Sequence, residues 1–95
     1  MEEKKLKRTV VTVVGKDHPG IIAKVCTYFA DNDVNILDIT QTITGGFFNM
    51  MMIVESEEEK KKFPEMAKDL EEVGKEIGVV IQAQHEEIFD MMHRI

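Results

Sequence analysis

The stretch Asn35-Ile36-Leu37-Asp38-Ile39-Thr40-Gln41-Thr42-Ile43-Thr44-Gly45-Gly46-Phe47-Phe48-Asn49-Met50-Met51-Met52-Ile53-Val54-Glu55 decides the fold. Thr44-Gly45-Gly46 is turn chemistry, because glycine takes positive φ without a Cβ clash, and the flanking segments therefore fold back on one another as antiparallel strands. In the second strand Phe48, Met50, Met52 and Val54 point one way and Phe47, Met51 and Ile53 the other, with Asn49 the polar residue in the middle. Both sides of that strand call for burial, so it belongs in the interior of a sheet.

Upstream of the hairpin, Arg8 to Val14 is a β-branched run of strand length that stops at Gly15. After the loop Lys16 to Gly20, Ile21, Ile22, Val25, Cys26, Phe29 and Ala30 fall at helical spacing. Pro19 suits a first helical turn, and Asp17 or His18 stands where a cap is expected. Asn32 and Asp33 end the helix. Downstream, Glu57 to Lys62 is a charged connection, and Phe63, Met66, Ala67, Leu70, Val73 and Ile77 mark one face of a second helix. Pro64 lies near its start, Gly78 is its stop, and Val79 to Gln84 is a fourth strand.

The order strand, helix, strand, strand, helix, strand predicts an α+β, ferredoxin-like βαββαβ fold. Its four-stranded antiparallel sheet carries both helices on one face, with the first and third strands central. The predicted organisation is a tail over 1–7, one domain over 8–85 and an amphipathic extension over 86–95, in which Ile88, Met91, Met92 and Ile95 lie at helical spacing. Two helices cover one face of the sheet, so a second copy of the chain or the C-terminal extension is expected on the other. The residues assigned to that interface are Phe48, Met50, Met52, Ile88, Met91 and Met92, the methionines being read as packing groups.

The chain has 95 residues with 18 acidic and 12 basic side chains, a net charge of −6. One domain is the upper limit at this length, and the acidic balance argues against a nucleic-acid partner, which needs concentrated Lys and Arg. RNA binding is the alternative to weigh for a ferredoxin-like sheet, but the first strand has no aromatic residue for base stacking. The single cysteine, Cys26, falls on the apolar stripe of the first helix and reads as a small hydrophobe rather than a nucleophile. His18, His85 and His93 have no metal-site spacing, so neither metal nor cofactor is expected, and no enzyme activity. Without a membrane-spanning run or a signal-peptide pattern, the expected location is cytoplasmic.

The loop Gly15 to Gly20 is the one place where the residues suggest binding chemistry. Amides at the start of the first helix suit an anion, Gly20 permits close approach, Asp17 accepts from an ammonium group, and the Asn35 amide both donates and accepts. Each residue also has an ordinary structural reading, as cap or turn.

The motifs Asp17-His18-Pro19-Gly20-Ile21-Ile22-Ala23, Val34-Asn35-Ile36-Leu37-Asp38-Ile39 and Gly46-Phe47-Phe48-Asn49-Met50, in this order, resemble the ACT domain, a small regulatory module that commonly binds amino acids. Gly15-Lys16-Asp17, Asp38-Ile39-Thr40-Gln41-Thr42-Ile43 and the ending Gln84-His85-Glu86-Glu87-Ile88-Phe89 resemble, more narrowly, the stand-alone UPF0237 proteins. The glycine-cleavage repressor proteins are a more distant likeness. The resemblance implies domains that associate into dimers or higher oligomers, with an amino acid held at the interface by Asp17, Gly20 and Asn35 and by backbone groups at His18 and Ile21 or Ile22. Most ACT domains are fused to the protein they adjust. This chain carries no such partner, so regulation is expected to run through contact with a separate protein, with or without a ligand.

Overall fold

A computed structural model describes residues 6–57 and 61–86. Strand β1 (Leu6–Lys16) leads into helix α1 (Ile21–Asp31), followed by β2 (Asn35–Thr44), β3 (Phe47–Glu57), α2 (Phe63–Ile77) and β4 (Val79–His85). The four strands form one antiparallel sheet in the order β2-β3-β1-β4. This is the expected ferredoxin-like arrangement with β1 and β3 central. Strand β1 is longer than its β-branched run, because pairing with β3 continues from Leu6↔Glu57 to Lys16↔Phe47. Leu6 and Lys7 are thus part of β1.

The register decides which side chains share a face. Val13 pairs with Met50 and Val11 with Met52, and directly paired residues of an antiparallel ladder lie on the same side. Onto that side press Ile21, Val25 and Phe29 of α1 and Met66 and Leu70 of α2, making one core with Val54, Val79 and Ile81. Phe48, Met50 and Met52 are therefore 2%, 3% and 0% exposed beneath the helices. This corrects their assignment to the open face. The open face instead presents Phe47 and Met51, with Val14 of β1 and Val80 of β4 beside them. Polar Asn49, between Phe47 and Met51, was the sequence mark of the uncovered side. Ile88, Met91 and Met92 lie outside the described residues.

Helix α2 and β4 meet without room for a side chain. A Cβ on Gly74 would stand 2.6 Å from the Val79 carbonyl oxygen, so only glycine fits. Gly78, at φ 77°, ends the helix in the left-handed conformation and donates its N–H to the Gly74 carbonyl. Strand β2 contrasts with this: its pairing with β3 is interrupted by a bulge between Ile36 and Asp38, and beyond Ile36, which packs against the core, the strand is exposed. Ile39 and Ile43 sit opposite Met52 and Phe48 on the helix side, yet remain exposed.

Candidate functional site

The loop from β1 to α1 ends on Gly20, whose φ of 93° and ψ of −5° are left-handed. No side chain caps α1, contrary to the expectation for Asp17 or His18, and there is no acidic residue in its first turn. The Lys24 N–H is taken by the Gly20 carbonyl at 3.0 Å, which leaves the amides of Ile21, Ile22 and Ala23 without that partner. Nothing lies within 4 Å of the position a Gly20 Cβ would occupy, so a small molecule has access to these amides. The Ile21 side chain is buried in the core, and only its backbone is available.

Asp17 is fixed by its backbone, with its N–H donating to the Gly46 carbonyl at 2.9 Å, while its side chain is exposed. This contact ties the loop to the β2–β3 turn. His18 has a different task. Its Nε2 lies 2.7 Å from the Ile77 carbonyl oxygen and its Nδ1 lies 3.1 Å from that of Pro19, and a neutral ring can donate to only one of them. The imidazole fastens the loop to the end of α2, so His18 offers a ligand its backbone rather than its ring.

Asn35 is not part of this cluster within one chain. It pairs with Glu55, which pairs with Arg8, whereas Asp17 follows Lys16 at the opposite end of β1. The separation is the length of β1 from Arg8 to Lys16, roughly 26 Å at the usual strand rise. The reason is the crossover: α1 runs back along the sheet, so β2 starts at the end where β1 started.

The remaining polar groups serve the scaffold. Tyr28 donates its hydroxyl to Asp69 Oδ2 at 2.7 Å, and Lys61 Nζ lies 2.8 Å from the same oxygen, joining α1 to α2. Hydrogen bonds from Lys61 and Tyr28 hold the Asp69 carboxyl below the usual carboxylate range, while burial, and then Asp69, push the Tyr28 hydroxyl up. Cys26 packs half-buried against the core, and burial raises its thiol, the opposite of an activated nucleophile. Among the described residues no three His, Cys, Asp or Glu side chains gather to hold a metal, and no helix is long and apolar enough to cross a membrane.

Comparison with known proteins identifies the scaffold. The family model described as ACT domain matches residues 7–84. A UPF0237 protein of Bifidobacterium longum is 53% identical over 90 residues, 95% of this chain and 100% of that protein. An ACT domain protein from Streptococcus pneumoniae superposes with a TM-score of 0.78 at 38% identity, over 88% of this chain and 94% of the other. A chain assigned as a glycine cleavage system transcriptional repressor superposes with a TM-score of 0.76 at 21% identity, over 84% of this chain and 46% of the other, a likeness of fold alone. The protein belongs to the ACT domain family, among the UPF0237 proteins.

Proposed function

We propose that the chain is a non-catalytic regulatory module that binds a free amino acid at the start of α1, in a site completed by a second copy, and acts by contact with other proteins. The observation that carries this reading is the α1 N-terminus, which Gly20 leaves open and no side chain caps, with the exposed Asp17 carboxylate beside it. An amino acid's carboxylate suits the Ile21, Ile22 and Ala23 amides and the positive end of the helix, and its ammonium suits Asp17. The edge strand β2 supplies the means of association. Antiparallel pairing of β2 with its copy about a two-fold axis carries the Asn35 end of one chain toward the partner's Thr44 end. That end holds the Gly46 carbonyl to which Asp17 is tied, so Asn35 re-enters the site from the partner.

A thermal-shift screen against the common amino acids tests the proposal. A bound amino acid at a hundredfold excess over Kd stabilises by about 2.7 kcal/mol, which raises Tm by upwards of about 10 °C in a domain of this size. Asp17→Ala and Asn35→Ala should each abolish the shift. No response to any amino acid overturns the ligand and leaves a module that works by protein contact alone.

A further inference from the structure

At the opposite end of the sheet from Gly20, a cavity of about 400 Å³ opens beneath the first turn of α2. It is lined by Lys7 and Thr9 of β1, Ser56 of β3, Lys61 and Lys62 before α2, Phe63, Pro64 and Met66 of α2, and His85 of β4. We propose that this cavity binds a small phosphomonoester, with its phosphate against the hydroxyls and lysines and a flat organic body along the Phe63–His85 pair.

Two hydroxyls carry the argument. Thr9 is 2% exposed and Ser56 6%, both on the helix-facing side of central strands, where they follow the apolar runs of Val13 and Val11 and of Phe48, Met50, Met52 and Val54 toward the cavity. Neither side chain makes a hydrogen bond to another described residue, and each lines the cavity. Among the described residues no sealed side-chain oxygen lacks a partner, so both hydroxyls reach the cavity itself, where an acceptor seated in it can meet them.

The charge of the walls names the acceptor's sign. Among the described residues three lysines line the cavity and no acidic residue does, in a protein whose net charge is −6. Lys61 is partly engaged by Asp69 at 2.8 Å, and Lys7 and Lys62 add two more ammonium groups to the lining. Helix α2 adds its positive end, with no side-chain cap. Pro64 has no N–H and the Met66 N–H goes to the Lys62 carbonyl at 3.0 Å, so the amides of Phe63 and Glu65 remain. Two hydroxyls, two ammonium groups and two amides outnumber what a carboxylate's two oxygens accept in one geometry. A phosphate, with three strong acceptor oxygens and nearly two charges, matches them. The Phe63 and His85 rings stack with centroids 4.0 Å apart and give the cavity one flat wall. Its volume lies in the range of small-molecule sites rather than that of a lone ion.

The test is an amide NMR titration of the full chain with phenyl phosphate, inorganic phosphate and benzoate. Phenyl phosphate should give saturable shifts at Thr9, Ser56, Phe63 and Glu65. Inorganic phosphate should bind more weakly for want of the ring, and benzoate for want of charge. Lys62→Glu, an exposed position, and the near-isosteric Thr9→Val should each weaken phenyl phosphate about tenfold, or about 1.4 kcal/mol. Lys75→Glu, the same charge change at the far end of α2, should not. Absence of saturable shifts at these amides, equal binding of benzoate, or equal weakening by Lys75→Glu overturns the proposal. This site shares no residue with the α1 site, so either can fail without the other.

Discussion

Met51 and Met52 are adjacent in β3 and chemically identical, yet Met52 is fully buried beneath both helices while Met51 is 39% exposed on the uncovered face. The first is held by the core of one chain. The second has apolar neighbours, Phe47, Val14 and Val80, but nothing from its own described chain above it. The difference shows that the folding unit and the unit of function need not coincide: one side of the sheet is complete in a single copy, and the other has the composition of a contact surface.

The largest effect should come from the covered side. Met52→Ala leaves a cavity among Val11, Val54 and the helices and should cost about 2–5 kcal/mol in urea denaturation. A loss no greater than that of Met51→Ala would break the contrast between the faces. Gly74→Ala should destabilise by about 1–3 kcal/mol, because its Cβ meets the backbone of Val79 rather than a movable side chain.

On the open face, Phe47→Glu and Met51→Glu should leave the stability of an isolated chain within about 0.5 kcal/mol. Sedimentation should nevertheless show smaller assemblies and a Tm that no longer depends on protein concentration, as it does when folding and association are linked. A wild-type monomer across micromolar concentrations would remove the contact surface from consideration.

The smallest effect belongs to the bond between the helices. Asp69 is held ionised by Lys61 and Tyr28, so its folded pKa lies below the unfolded value of about 3.9. Its contribution is fully present above that value and fades as pH falls toward the folded pKa. The side chain is 36% exposed, so Asp69→Asn should cost less than about 1 kcal/mol near neutral pH. The difference from wild type should close below about pH 4 in a series of thermal melts.

Local chemistry revealed the element order, the Gly45–Gly46 hairpin and the central positions of β1 and β3, because each rests on neighbours in sequence. The face assignment failed at Phe48, Met50 and Met52. Alternation divides a strand into two sets, but only the helices' positions decide which set they cover, and polar Asn49 is the one local sign of the other. Asn35 stands apart from Asp17 because the α1 crossover joins strands that run parallel, so β2 starts at the end of the sheet where β1 starts. The expected cap at Asp17 or His18 gave way to Gly20, while His18 found the Ile77 carbonyl, 59 positions away. The cavity under α2 draws on four separate segments, and no spacing within any of them announces it.

The bulge at Leu37 bears on how selectively the outer edge can pair. A straight exposed strand is a template for any extended chain that drifts against it, which is the first step of fibre growth. Here the regular ladder breaks after Ile36 and resumes only at Asp38. A passing peptide meets a kinked rail rather than a straight one. The irregularity thus makes the outer edge a poor template for a straight extended chain.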